Sequence, residues 1–180
     1  MIPIGGLRGP RRLVPGAAVA GDPEEAERLL REHPIDPLGL WGVHGRAAAQ
    51  AVVSALHARK RGNAAAARRI LESAKPNVLF RDVRVLDYFI GETCHLAGDD
   101  ACAVSALADG HRFIWAFLPR AVAYLRSRYL LARSYERLGR REEARATIGK
   151  LVATWKDADA DLPLLYEAKA LCRRVECRVP

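Results

Sequence analysis

Four glycines divide the chain into units that share one pattern. Each glycine is followed by an alanine five residues later and by a large apolar residue nine residues later. The glycines are Gly21, Gly62, Gly98 and Gly139, the alanines are Ala26, Ala67, Ala103 and Ala144, and the large residues are Leu30, Leu71, Leu107 and Ile148. The glycines lie 41, 36 and 41 residues apart. This recurrence predicts a tandem repeat whose units pack against one another.

The pattern has a direct structural meaning. Glycine readily adopts the left-handed conformation with which a helix ends and the chain reverses. A small alanine lets two antiparallel helices approach closely, and the larger residue four positions later fills the groove towards the next unit. We therefore expect each unit to be a pair of helices joined by a turn that contains the glycine.

Helix start and stop signals agree with that expectation. Asp22-Pro23 combines a capping carboxylate with a proline in the first turn. Apolar residues spaced by three and four predict the longest helix between Arg120 and Leu138. The expected helices cover residues 22–33, 46–60, 64–74, 82–96, 100–108, 120–138, 141–155 and 163–175. Residues 1–20, rich in glycine and proline, are expected to form a flexible leader, and residues 21–180 a repeat domain.

The unit around Gly139 resembles the tetratricopeptide repeat. It reads Leu131-Ala132-x-x-Tyr135-x-x-x-Gly139 before Ala144 and Ile148, similar to the family's order of leucine, small, aromatic, glycine, alanine and large residues. The preceding unit carries Cys94 where that family usually has an aromatic residue. The resemblance covers residues 21–156, most clearly from 82 onward. The stretch from 129 to 175 also looks like C-terminal repeats of multidomain bacterial regulators.

This resemblance implies both a fold and a function. The implied fold is all-α: a right-handed superhelix, or solenoid, of about three helix pairs closed by a C-terminal capping helix. The implied function is a protein–protein interaction scaffold or regulatory module that binds a partner peptide. In this family the first helix of each pair lines a concave groove, which is where the partner would bind.

The residues expected to line that groove are mainly basic. Arg126, Tyr129, Arg133 and Arg137 share one stripe of the helix that ends at Gly139. By the resemblance, the matching positions in the preceding units are Tyr88, Glu92, His95, Arg59 and Lys60. We expect this set to bind an acidic peptide segment or a C-terminal carboxylate of another protein through arginine forks. The alternative is a solvated arginine face without a ligand.

The charge of the chain suggests a second hypothesis from another class. The formal net charge is +8 and the isoelectric point about 9.7, so a helical repeat that binds nucleic acid with a basic face is the runner-up. The arginines are spread along the whole chain, which makes nucleic acid the less favoured partner. No apolar stretch is long enough to span a bilayer, so no membrane partner is expected.

The motifs of common enzymes are absent from the sequence. It contains no phosphate-binding loop, dinucleotide fingerprint, nucleophile elbow or H-E-x-x-H zinc motif. Helix dipoles account for the acidic pairs Glu24-Glu25 and Glu142-Glu143, which open helices. We therefore expect no catalysis, no cofactor and no metal site. An enzyme with its site in the groove is the third hypothesis, and perturbed carboxylates would be its signature.

The cysteines and the first repeat carry the remaining expectations. The cysteines are Cys94, Cys102, Cys172 and Cys177. They form no C-x-x-C pair and lie mostly on apolar helix sides, so buried reduced thiols and a cytoplasmic location are expected. Only the second helix of the first unit is recognisable. An apolar end of a repeat array normally needs a cap, so self-association through the N-terminal end is a further expectation.

Overall fold

The computed structural model describes residues 21–32, 43–78, 80–110, 118–155 and 162–177. These residues are almost entirely helical, and none of them lies in a strand. The helices are α1 (Pro23–Glu32), α2 (Val43–Lys60), α3 (Ala64–Ala74), α4 (Phe80–Leu96), α5 (Asp100–Gly110), α6 (Leu118–Arg137), α7 (Arg141–Thr154) and α8 (Pro163–Arg174). The leader expected at residues 1–20 lies outside the described residues.

The predicted all-α class is therefore confirmed, and each predicted helix is present. The main differences lie at the helix starts: α2 begins at Val43, α4 at Phe80 and α6 at Leu118, two or three residues before the predicted starts. A short 3-10 helix, Lys75–Asn77, follows α3 with proline in its first turn. None of the described helices is long and apolar enough to cross a bilayer.

The four glycines of the repeat adopt the predicted backbone conformation. Their φ angles are 79°, 75°, 80° and 74° for Gly21, Gly62, Gly98 and Gly139. At Gly98, the N–H of the glycine donates to the His95 carbonyl at 3.1 Å, and the next N–H, of Asp99, donates to the Cys94 carbonyl at 2.9 Å. Such paired bonds satisfy carbonyl groups that a helix end otherwise leaves without partners. The prediction of glycine-containing turns is confirmed.

The alanines and large residues of the repeat are buried, as their predicted packing roles require. Ala26, Ala67, Ala103 and Ala144 are all 0% exposed. The large residues four positions later are buried too: Leu30, Leu71, Leu107 and Ile148. The structure also explains why the small residue Gly91 lies in the helix before Gly98. A Cβ added to Gly91 would overlap the side chain of Leu107, so the helices approach as closely as glycine permits.

The chain divides into two compact units. The first comprises Met1–Ile90 with Phe117–Pro119, and the second comprises Gly91–Ala116 with Arg120–Pro180. In the first unit, α2 packs against both α1 and α3, and its buried face consists mostly of alanine with Val52, Val53 and Leu56. In the second unit, α7 packs against α8, and Ile148, Leu151, Leu165 and Leu171 are buried there.

Candidate functional site

The predicted binding residues are divided between the two units. The first unit contains Arg59, Lys60 and Tyr88, whereas the second contains Glu92, His95, Arg126, Tyr129, Arg133 and Arg137. Lys60 is exposed, and its Nζ lies 2.5 Å from the Glu24 carboxylate of α1. Tyr88 is buried and packs edge-on against Phe89, with ring centroids 5.0 Å apart. The Tyr88 ring therefore offers a partner little surface.

In the second unit, an ion pair joins α6 to α4. The Nε of Arg126 lies 3.0 Å from the Glu92 carboxylate. The Glu92 side chain is 2% exposed, whereas that of Arg126 is 39% exposed. A buried carboxylate is tolerated only with a close cationic or hydrogen-bonding partner. Arg126 therefore stabilises the buried acid while part of its own side chain stays exposed to solvent.

At the C-terminal end of the same face of α6, Arg137 also contacts neighbouring helices. It donates to the His95 carbonyl at 3.3 Å and to Asp100 Oδ1 at 3.5 Å. The Nδ1 of His95 lies 2.8 Å from Ser134 Oγ and 3.5 Å from Asp100 Oδ1. Burial, together with the nearby charge of Arg137, lowers the pKa of His95 below its usual value. The neutral form of His95 is therefore favoured, and the ring contacts Ser134 within the site.

Arg133 lies between these two contacts. It donates to the Tyr129 hydroxyl at 3.0 Å, and its guanidinium carbon lies 5.9 Å from the centre of the Tyr129 ring. Its Nε is buried and makes no hydrogen bond within the described part of the chain, although Glu136 Oε2 lies 3.6 Å away. Burial raises the pKa of Tyr129, which also contacts Glu167. The hydroxyl is therefore protonated at neutral pH.

We refer to Glu92, His95, Asp100, Arg126, Tyr129, Arg133, Ser134 and Arg137 as the polar cluster. Its acids and its arginines differ in exposure. The Asp100 side chain is 10% exposed, whereas that of its partner Arg137 is 40% exposed. The same asymmetry holds for Glu92 and Arg126. A group approaching from solvent therefore meets the arginine side chains before the carboxylates that partly neutralise them.

The structure adds residues that the sequence analysis did not select. Asp100 was not among the predicted binding residues, yet it ion-pairs with Arg137. Ser134 is fully buried and contacts His95. A serine within an otherwise apolar stripe was the available signal, because a buried hydroxyl requires a partner. Glu136 binds Arg174 of α8 at 2.7 Å, and this contact raises the pKa of Arg174.

The expectation of reduced cysteines is wrong. The structure pairs Cys94 with Cys102 and Cys172 with Cys177 as disulfides, and no free cysteine remains. Both pairs form at the C-terminal end of a helix. The N–H of Asp99 donates to the Cys94 carbonyl, and the N–H of Cys177 donates to the Cys172 carbonyl, both at 2.9 Å. These helix ends thus bring together cysteines whose sequence spacing had suggested no pair.

Comparisons with known proteins provide no relative from which a function could be transferred. No protein-family model, no curated protein and no solved structure matches this chain. Function must therefore be argued from the polar cluster and from the repeat geometry.

Proposed function

We propose that this chain is a protein-interaction module of the tetratricopeptide type that binds a carboxylate-bearing segment of a partner protein at the polar cluster. It would act as a scaffold or regulatory module, with helix pairs arranged as a right-handed solenoid, and by binding rather than catalysis. The repeated glycine, alanine and large residues support the repeat architecture. The proposal extends the repeat pattern of bacterial regulators, which the second half of the sequence resembles.

One observation carries the proposal. The side chains of Arg126, Arg133 and Arg137 share one face of α6 and are 30–40% exposed, while the acids paired with Arg126 and Arg137 are nearly buried. A planar guanidinium can donate two parallel hydrogen bonds to one carboxylate. Charge-assisted bonds of this kind contribute roughly 1.5–3 kcal/mol each. This face is therefore suited to an acidic segment or to a C-terminal carboxylate.

The proposal also concerns where the protein acts. We place it in the cytoplasm, where cellular reductants keep most thiols reduced. There the two disulfides of this structure would be open to reduction by the cellular reductants. The hydrogen bonds of the helix turns, rather than the disulfides, would then hold the polar cluster in place.

The test is a binding assay with a displayed library of random peptides that end in either a free carboxylate or an amide. Selected peptides are then titrated against the chain and against a double variant with Arg133→Gln and Arg137→Gln. We expect peptides rich in Asp and Glu, or dependent on a free carboxylate, and at least a tenfold loss of affinity in the variant. Arg128→Gln is the matched control, since Arg128 lies on another face of α6 by the helical period.

Glutamine is preferred to glutamate in this variant for a structural reason. Glutamate at position 137 would place a second negative charge beside Asp100 and could disturb α5 as well as the binding face. Arg126 is left unchanged because Glu92 depends on it. Circular dichroism and thermal unfolding verify that the variant is folded. Selected peptides without acidic groups, or equal binding by the double variant and the control, would contradict the proposal.

The runner-up function, binding of nucleic acid, predicts a different result in the same assay. The exposed arginines of the polar cluster are its only specific support, because they could equally contact phosphates. A fluorescent single-stranded RNA would then bind with an affinity that falls steeply with salt. Tight RNA binding that is lost in the double variant, without any selected peptide, would favour nucleic acid over a protein partner.

A further inference from the structure

The turn between α4 and α5 brings three metal-ligating side chains together. The sulfur atoms of Cys94 and Cys102 and a carboxylate oxygen of Asp99 all lie within 4.8 Å of one another. Cys94 is buried, Cys102 is partly exposed and Asp99 is exposed, so the group is open to solvent on one side. In this structure the two sulfurs form a disulfide. This is the one such group among the described residues.

We propose that this turn is a redox-gated binding site for Zn²⁺, in which the reduced Cys94 and Cys102 and the carboxylate of Asp99 are the ligands. In the oxidised chain the disulfide occupies both sulfurs and the site is closed. The site is separate from the carboxylate-binding role of the polar cluster and does not depend on it.

The backbone of the turn keeps the ligands close without the disulfide. The N–H of Asp99 donates to the Cys94 carbonyl, and the N–H of Cys102 donates to Asp99 Oδ1 at 3.0 Å. Gly98 has the positive φ that the reversal requires. These bonds contain no sulfur and remain when the disulfide is reduced. The two thiols therefore stay near one another, which lowers the entropy lost when a metal ion binds both.

Zinc chemistry fits this set of ligands. Thiolate sulfur binds Zn²⁺ at about 2.3 Å, so two sulfurs in a tetrahedral site lie about 3.8 Å apart. The Cα atoms of Cys94 and Cys102 are 5.8 Å apart, and rotation of the side chains can separate the sulfurs to that distance after reduction. Asp99 supplies a third, anionic ligand, which leaves the fourth position for water, as in zinc sites that exchange a ligand.

An external dithiol such as dithiothreitol reduces the disulfide and so opens the site. The dithiol gives two electrons to the Cys94–Cys102 bond, which breaks to form two thiols, and the reductant becomes a disulfide. Zn²⁺ then forms two bonds to sulfur, and the two thiol protons are released to solvent.

The second cysteine pair is an internal control. Cys172 and Cys177 also meet at a helix end, where the N–H of Cys177 donates to the Cys172 carbonyl. The neighbouring acid, Glu176, forms ion pairs with Arg141 at 2.7 Å and with Arg145 at 3.7 Å. No third ligand within the described residues completes a site there. The two dithiols therefore differ in the carboxylate, and only the first is expected to hold the metal ion.

The experiment uses the full chain, reduced with dithiothreitol, freed of reductant by gel filtration under argon and titrated with Co²⁺ and then Zn²⁺. We expect one Co²⁺ per chain, a thiolate-to-cobalt absorption band, and loss of the band when Zn²⁺ displaces cobalt. The oxidised chain should bind neither ion. Alkylation followed by mass spectrometry should show that Zn²⁺ protects Cys94 and Cys102 but leaves Cys172 and Cys177 reactive. This readout requires no variant.

Variants then assign the ligands. Cys102→Ser should abolish the cobalt band, whereas the double variant Cys172→Ser with Cys177→Ser should retain it. Asp99→Asn keeps the helix cap, because asparagine caps as well as aspartate, but should weaken Zn²⁺ binding about tenfold or more. Absence of binding to the reduced chain would overturn the site, as would protection of the second cysteine pair instead. Unchanged affinity of the Asp99→Asn variant for Zn²⁺ would mean that Asp99 is not a ligand.

Discussion

The helix pair around Gly62 and the turn around Gly98 share one repeat pattern but bury different kinds of residue. Between Val43 and Ala74, every buried residue of the described part is apolar, and most are alanine. From Gly91 onward the second unit buries Glu92, Thr93, His95 and Ser134, together with one cysteine of each pair, Cys94 and Cys172. The repeat positions thus determine how the helices turn and how closely they pack. The other buried positions can be apolar or polar.

Helices α1 and α2 also differ from the second unit in where their charges lie. The ion pairs of α1 and α2 join exposed groups, such as Lys60 and Glu24, and pairs of this kind contribute little to stability. In the second unit, Arg126 pairs with a carboxylate that is almost completely buried. If this comparison is right, substitutions at shared repeat positions should have equal effects in both units. Substitutions at the polar cluster should have effects with no counterpart in α1 or α2, since the buried acid of the first unit, Asp87, pairs with Lys75 and Arg84 beyond those helices.

The largest effect is expected for the large residues of the repeat. Leu71→Ala and Leu107→Ala each remove a buried side chain from between two helices, and each should lower the free energy of unfolding by about 3 kcal/mol. Hydrogen exchange in increasing urea measures this locally, with amides of α3 for the first variant and of α5 for the second. A local measurement is needed because two compact units need not unfold together.

Leu96→Ala is the control for that pair, because Leu96 is an exposed leucine in the last turn of α4. It should change stability very little. The comparison fails if Leu71 and Leu107 differ by more than about 1.5 kcal/mol, a tenfold difference in the local opening equilibrium. The glycine, alanine and leucine pattern would then not mean that the two units pack these leucines in the same way.

The same comparison shows how far the sequence alone could predict the structure. The spacing of Gly98, Ala103 and Leu107 predicted a left-handed glycine, a fully buried alanine and a buried leucine, and the structure confirms each. These features depend on local backbone geometry and on residue size, which the sequence states directly. For the same reason the helix ends were predicted to within a few residues.

The contents of the site could be predicted only in part. The stripe of Arg126, Arg133 and Arg137 follows from helical spacing, but the burial of Glu92 depends on how α4 packs against α6, which no local pattern encodes. The disulfide between Cys94 and Cys102 was missed for a related reason. Their pairing requires the chain reversal at Gly98 and the matching rotation of both helices, so spacing along the sequence did not reveal it.

The second prediction concerns the buried ion pair. Arg126→Ala leaves the Glu92 carboxylate buried without its cationic partner, and should lower the free energy of unfolding of the second unit by about 2 kcal/mol. Lys60→Ala removes an exposed cation from the first unit and should have little effect. Chemical denaturation monitored by hydrogen exchange in α4 and in α2 measures both changes.

A double variant separates the buried charge from lost packing. Glu92→Gln makes the buried group neutral, so Arg126→Ala should be better tolerated in that background than in the original chain. Equal effects of Arg126→Ala in both backgrounds would mean that Arg126 stabilises the unit by packing alone. The contrast between the two units would then lose its electrostatic basis.

A third, smaller effect is expected where α4 and α5 approach each other most closely. Gly91→Ala places a methyl group against the buried side chain of Leu107, and should lower stability by roughly 1.5 kcal/mol through overpacking. The corresponding position of the first unit, seven residues before its glycine, is Ala55, which is buried without conflict. Leu107→Val in the Gly91→Ala background should restore part of the loss, as measured by thermal unfolding. If Leu107→Val restores no stability, the loss in Gly91→Ala does not come from its contact with Leu107.

The smallest effect is expected at the turn glycines, where both units should behave alike. Gly62 and Gly98 have positive φ, and a Cβ added to either would meet no atom within 4 Å. Gly62→Ala and Gly98→Ala should therefore each lower stability by about 1 kcal/mol through backbone strain alone. Asparagine tolerates this conformation better, so Gly62→Asn and Gly98→Asn should be milder, as measured by denaturant unfolding. A loss at Gly98 well above that at Gly62 would mean that the turn carrying Cys94 and Cys102 is held more tightly than the repeat alone requires.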